Sequence, residues 1–338
     1  MDKKINVIRS QGNKLLTDDY LALMKISAYH KARGDSVEWC MPLFHYDIVY
    51  QSKVFDETYS PDIDFVPQAD KIIKGGTGYV RKKYNENRTA YRLEFYYNGE
   101  WLSANMLSAK GCQEEYREEL PREVEHIYPD YDLYPELTKD TAYGFLTRGC
   151  PRGCKFCCVG AKEGRKSYKA ADLSEFWRGQ KNIVLLDPNI LGCRRHIELL
   201  EQLIDSNAKV DFNQGLDIRF TNDENIALLN KIKVKEIHFA WDNAEDNLVP
   251  AFEYYKKLAK HKPHGNYGTV YCLTNFDSTM EQNLYRIYTL RDMGYDPYVM
   301  IYDKPNAPRE IRLLQRWCNN KIIFRACDRF EDYDEKKG

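Results

Sequence analysis

The sequence predicts an α/β protein: six β/α units forming a partial barrel, preceded by a smaller parallel α/β domain with a β-hairpin insertion. Three patterns carry this. Over 139–338, six strand-like runs alternate with helix-like stretches, and β/α units in series imply a parallel sheet that curls. Over 1–80, strand, helix and strand follow at short spacing, the mark of a parallel layer. Over 81–138, two β-rich runs flank Asn98-Gly99, a strong tight-turn signal.

The elements follow in order. Residues 4–8 read as a strand. A helix over 19–33 places Leu21, Met24, Ala28 and Ala32 on one stripe, and Gly34 stops it in the usual C-terminal position. Strands follow at 36–39, 47–50 and 71–74, the last running into Gly75-Gly76-Thr77-Gly78. Runs 91–97 and 100–104 form the hairpin. A charged stretch, 113–125, leads to a Pro- and Tyr-rich linker at 128–135, where Pro129 and Pro135 argue against helix. In the repeat, strands are expected at 142–147, 182–186, 209–212, 236–241, 269–274 and 297–302. Helices are expected at 173–178, 196–207, 222–231, 248–260, 279–293 and 309–318. Thr221 with Glu224, and Ser278 with Glu281, give capping-box spacings, and Gly294 closes the fifth helix. Eight units would complete a barrel; six make a partial one.

Bulk composition narrows the class. Hydrophobic residues make up 43% and charged residues 30%, as in soluble globular proteins, and 338 residues suffice for about two domains. A net charge of −1 gives no global attraction to nucleic acid or anionic membrane. The first apolar run is too short for a signal peptide, and no segment approaches the roughly 18 apolar residues of a membrane helix. The expected location is cytoplasmic, without a membrane partner. There, ten cysteines should remain thiols or bind metal.

The chemistry concentrates in Arg148-Gly149-Cys150-Pro151-Arg152-Gly153-Cys154-Lys155-Phe156-Cys157-Cys158, just after the first strand of the repeat. Three thiolates spaced C-x3-C-x2-C on one loop can wrap three corners of an iron–sulfur cube and leave the fourth iron open. An open metal site can bind and activate a small molecule. Gly149 and Gly153 allow the backbone to turn closely around it. The other reading is a zinc site, which usually shows two ligand pairs; here a second pair is missing, although Cys158 adjoins Cys157.

At these residues the sequence resembles the radical S-adenosylmethionine superfamily, whose signature is C-x3-C-x-aromatic-C, with Phe156 in the aromatic place. The resemblance covers about 140–305. It implies a six-unit TIM-like barrel and metal ligation by Cys150, Cys154 and Cys157. It also implies a 4Fe-4S cluster and S-adenosylmethionine as cofactors, with one-electron cleavage to a 5′-deoxyadenosyl radical that abstracts a substrate hydrogen. A low-potential donor of flavodoxin or ferredoxin type would supply the electron. The substrate, whether small molecule, peptide or nucleic acid, stays open. The rival reading is a non-catalytic zinc or iron–sulfur binding module.

Carry-over to other residues is specific to position. Where the family has Gly-Gly-Glu, this chain has Leu186-Asp187-Pro188-Asn189. Asp187 takes the acidic role and Asn189 donates a hydrogen bond, or the segment is a plain Asp-Pro turn. Arg219 is the candidate for the cofactor carboxylate, or a surface ion pair. Asn275, with Thr274 and Phe276, ends the fifth strand, where the family contacts adenine. The catalytic residue is unassigned, with candidates His238, Asp242, Cys158 and Tyr302. Alternation sets His238, Ala240 and Asp242 on one face and Ile237, Phe239 and Trp241 on the other; the other reading of His238, and the commoner one for a lone histidine, is a hydrogen-bonded core residue. Cys158 is either a reactive thiol near substrate or a buried neighbour.

The first domain resembles the Rossmann-like domain of the cobalamin-dependent branch, through Leu23-Met24-Lys25-Ile26-Ser27-Ala28-Tyr29-His30 and Lys74-Gly75-Gly76-Thr77-Gly78. None of the seven histidines lies in the D-x-H-x-x-G motif that ligates cobalt, so cobalamin held by a histidine is not expected. Cys193, Cys272, Cys318 and Cys327 are scattered and lack the spacing of a second cluster. The basic run 162–169 reads as a solvated loop or a guide for an acidic partner, and the acidic tail 328–334 as a solvated end.

Overall fold

A computed structural model describes residues 3–9, 17–55, 61–62, 65–85, 91–97, 100–110, 114–117 and 120–336. The Asn98-Gly99 turn and parts of the charged stretch 113–125 lie outside these. The chain divides into two compact units, one of residues 1–143 with 174–178, the other of residues 144–173 with 179–338.

The first unit is built on a five-stranded sheet. Its strands are β1 (Lys4–Arg9), β2 (Ser36–Trp39), β3 (His45–Ser52), β4 (Gln68–Gly75) and, after a smaller sheet, β8 (Glu114–Arg117). They lie in the order β2-β1-β3-β4-β8, and each pair is parallel. The order reverses between β1 and β3, as in doubly wound sheets. The helix Thr17–Ala32 packs Leu21, Leu23 and Met24 into the core. Gly34, at φ +86°, closes it: the Asp35 N–H reaches back to the His30 carbonyl at 3.1 Å.

The smaller sheet holds β5 (Val80–Tyr84), β6 (Tyr91–Tyr97) and β7 (Glu100–Ser103), all antiparallel. The expected hairpin is thus a three-stranded sheet. The basic run beginning at Val80 supplies the extra strand because Val80 packs with Tyr79, Phe95, Leu102 and Leu107. The Pro- and Tyr-rich stretch is no free linker either. Asp130 takes hydrogen bonds from Ser27 and Lys31 of the helix Thr17–Ala32.

The second unit is organised by a parallel sheet whose strands lie in chain order. The chain enters it through β9 (Thr141–Gly144). It then forms a short antiparallel ribbon of β10 (Thr147–Arg148) and β11 (Tyr168–Lys169). It continues through β12 (Asn182–Leu185), β13 (Lys209–Leu216), β14 (Lys233–Ala240), β15 (Thr269–Thr274) and β16 (Asp296–Ile301). The spatial order is β9-β12-β13-β14-β15-β16, and β12 to β16 pair in parallel.

Helices His196–Ser206, Asp223–Leu229, Val249–Leu258, Met280–Asp292 and Arg309–Asn319 follow β12 to β16 in turn. Ile237, Phe239 and Trp241 of the β14 region are buried. Phe239 packs edge-on against Phe252 and Tyr255 of the third of these helices.

The structure changes four local expectations. Between β9 and β12 the expected helix is one turn of 3-10 helix, Leu173–Glu175; just beyond it the Phe176 carbonyl accepts from the Tyr131 hydroxyl at 2.7 Å. Strand β13 runs past Phe212 to Leu216 through a register shift against β14. Gly215, at φ +88°, permits it: a Cβ there would meet the His238 carbonyl oxygen at 3.1 Å. Both capping boxes sit one residue later than expected, as Asn222 with Asn225 and Thr279 with Gln282. The acidic tail is docked, with Phe330 against Trp317 and Glu331 bonded to Tyr288.

Candidate radical-generating site

Every candidate at the sheet's C-terminal edge stands just beyond a strand end. Asp187 follows β12, Arg219 follows β13, Asp242 follows β14, Asn275 follows β15 and Tyr302 follows β16. Parallel strands gather such positions along one edge. The cysteine loop hangs from the same edge. The β10–β11 ribbon pins its root, pairing Thr147 with Lys169 and Arg148 with Tyr168.

Within the loop, Gly149 (φ +75°) and Gly153 (φ +58°) make the two turns that L side chains resist. A Cβ on Gly149 would meet the Lys166 carbonyl at 2.3 Å. Glu163 binds the loop from inside, accepting from the Gly149 N–H and from Arg148, each at 2.9 Å. Cys150, Cys154 and Cys157 are partly buried, whereas Cys158 is exposed. Burial pushes the Cys157 thiol up to about 11, and the neighbouring cysteines add to it. Burial likewise raises Cys154, with contributions from Asp242 and Cys150, while Arg152 and Arg219 pull the other way. Burial thus makes the thiolate form costly at both Cys154 and Cys157.

Among the described residues, one group of three ligating side chains has donors within 4.8 Å of one another, and it lies elsewhere, at Asp211, Glu236 and His238.

Asp187 is buried and faces this loop. Its carboxylate accepts from the Leu146 N–H at 3.1 Å, the Thr147 N–H at 2.5 Å and the Thr147 hydroxyl at 2.6 Å. Desolvation nevertheless raises its carboxyl to about 6, against those bonds. Asn189 is also buried; its amide donates to the Cys150 sulfur at 3.6 Å, and its oxygen accepts from the Gly192 N–H. Asp187 thus holds the root of the loop, and Asn189 touches Cys150.

Arg219 lies in a cluster of two arginines and two aspartates. It donates to Asp217 at 2.6 Å and 3.1 Å and to Asp246 at 2.6 Å. Arg152, from the cysteine loop, reaches the same Asp246 at 3.4 Å. Burial works against the Arg219 charge, but Asp217 and Asp246 outweigh it and hold the guanidinium protonated.

Asp242 accepts from the Leu273 N–H at 3.2 Å, and burial raises its carboxyl to about 6. Phe156 meets Phe276 edge-on at 5.8 Å, and Phe276 meets Tyr302 at 4.9 Å. These rings form an aromatic shelf from the cysteine loop to β16. Asn275 (φ +62°) spends its amide on the Tyr302 carbonyl at 2.7 Å. His238 is apart from this group, inside β14 and 3.3 Å from Glu236.

Asp217, Asp246 and Arg286 escaped the sequence reading. Arg286 is fully buried. It donates to the carbonyls of Trp241, Asp242 and Leu273 at 2.6–2.9 Å, which ties the end of β14 to β15. A signal was present: Asn283, Arg286, Ile287 and Leu290 are the buried stripe of their helix, at helical spacing. Asp246 had none, because it lies 27 residues from Arg219. Cys272 and Cys318 are core residues, and burial raises Cys272 to about 12.

No family model and no curated protein sequence matches the chain. Among solved structures it is similar to the radical S-adenosylmethionine methyltransferase TsrM from Kitasatospora setae, solved with cobalamin and a [4Fe-4S] cluster bound. The TM-score is 0.58 at 9% identity, over 89% of this chain and 75% of that one. At this identity the likeness shows a shared fold.

Proposed function

We propose that the protein is a radical S-adenosylmethionine enzyme with a partial (β/α)6 barrel, in which Cys150, Cys154 and Cys157 hold a 4Fe-4S cluster. The observation that carries this is the C-x3-C-x2-C loop, stapled at its root and set at the C-terminal edge of a parallel sheet in chain order. Held by these three thiolates, a 4Fe-4S cluster would supply the single electron that reductive cleavage of S-adenosylmethionine requires.

This chain's residues prepare that chemistry. The Asn189 amide donates to the Cys150 sulfur, which orients the ligand and withdraws electron density from it. Asp187 fixes the loop root. Arg219 is the candidate for the cofactor carboxylate, held in place by Asp217 and Asp246. Phe156 and Phe276, with Asn275 beside them, offer an aromatic face for adenine. Asp242 and Tyr302 border the same edge and are the nearer candidates for proton handling on substrate; Cys158 is exposed and His238 lies deeper.

The proposed electron donor is a small acidic protein of flavodoxin or ferredoxin type, met by the basic run beside the cysteine loop. The first unit is read as a Rossmann-like domain, from its β2-β1-β3-β4-β8 order. Cobalamin ligated from below by a histidine is not part of this reading. Both ring nitrogens of His30, in the segment resembling that branch, are engaged by Asp35 and Tyr50.

The test is anaerobic reconstitution with iron, sulfide, dithionite and S-adenosylmethionine. Wild type should release 5′-deoxyadenosine, and Cys154→Ala should lose this activity by at least a hundredfold. Release at the wild-type rate by the variant would remove the site.

A further inference from the structure

Below the strand ends, one face of the sheet carries a second set of ligating groups. Asp211 is on β13, and Glu236 and His238 stand two apart on β14, so strand alternation turns both toward the same side. One carboxylate oxygen from each acid and one ring nitrogen of His238 lie within 4.8 Å of one another. His238 Nε2 and Glu236 Oε2 are 3.3 Å apart. Two ligands on one ion are separated by about 3.4 Å at ordinary metal–ligand distances in tetrahedral geometry.

The group is also incompletely satisfied. Asp211 Oδ1 and His238 Nδ1 are buried and have no hydrogen-bond partner. The Asp211 side chain is 10% exposed, and its other oxygen accepts from Lys235 at 3.2 Å. Leaving a buried carboxylate oxygen without a donor is unfavourable, and a cation would supply the missing partner. Tyr271 stacks against the His238 ring at 5.4 Å and 29°, which holds the imidazole plane. Lys235 pairs with Asp211 at 3.2 Å and offsets one acidic charge, which leaves the Glu236 carboxylate and the His238 ring to meet an ion. His238 precedes Asp242 by four residues, roughly 13 Å of extended chain. The group is therefore separate from the cysteine loop.

We propose that Asp211, Glu236 and His238 form a divalent-metal site of nitrogen–oxygen type. Two carboxylates and an imidazole suit Zn2+ or a neighbouring first-row ion and do not suit an iron–sulfur cluster, which needs thiolates. The site stands independently of the radical chemistry.

The experiment uses the full chain with Cys150, Cys154 and Cys157 all replaced by alanine, titrated with Zn2+ and, as a spectroscopic stand-in, Co2+. One equivalent of Zn2+ should bind and raise the melting temperature. Bound Co2+ should show ligand-field bands without sulfur-to-metal charge transfer. His238→Gln and Asp211→Asn, each in that background, should weaken binding at least tenfold; if Asp211→Asn fails to fold, Glu236→Gln takes its place. No Zn2+ bound, or equal affinity in the variants, overturns the site. Neither outcome bears on 5′-deoxyadenosine release by the wild type, so the two proposals fail separately.

Discussion

Asp187 shows how a residue can be found by position while its partners emerge only in the fold. The Asp-Pro pair beyond β12 marked it as notable, and a carboxylate there suggested contact with a cofactor. In the fold its oxygens are taken by two backbone N–H groups and a hydroxyl of residues 146–147, pairings set by strands whose contact no local pattern encodes. Its carboxyl is raised to about 6 from 3.8, so the folded state favours the protonated form. That contribution to stability is full below pH ~3.8 and is lost as pH rises through about 6. Asp187→Asn has no such titration. Urea unfolding should therefore find wild type ahead of Asp187→Asn by most near pH 4, with the gap narrowing toward pH 7. A gap that widens with pH would contradict the assignment. The cysteine loop, by contrast, was legible because its spacing alone sets three thiols on one short segment.

At the scale of elements, periodicity located every strand of the large sheet, and errors fell at the ends. Both capping boxes shifted by one residue because the amide side chains of Asn225 and Gln282 close the box as well as an acid does. The helix expected at 173–178 is instead a single 3-10 turn, Leu173–Glu175. Arg286 links elements most directly, since its buried guanidinium serves carbonyls of residues beyond β14 and in β15. A lysine there keeps the charge but lacks the planar fork, so at least one buried carbonyl loses its donor. Arg286→Lys should cost about 1–3 kcal/mol in urea unfolding. An unchanged midpoint would show that these bonds contribute nothing net.

For the whole molecule, the two readings of the cysteine loop differ in metal content. Anaerobically purified protein should be brown and contain iron and sulfide in nearly equal amounts, about four of each per chain after reconstitution. Zinc without iron would instead mark a binding module. Among the described residues no helix is long and apolar enough to cross a membrane. The sequence by itself determined the alternation of strand and helix, the parallel layers and the three-thiol loop. Each of these is written in short-range spacing: period two, period 3.6 and C-x3-C-x2-C. Only the tertiary structure decided which side chains meet across the strands. Arg219 with Asp246, Asn189 with Cys150, and Asp211 with Glu236 and His238 are pairings of residues far apart in the chain. The physical reason is that such contacts follow from strand order and register, which a linear pattern constrains only after the sheet has formed.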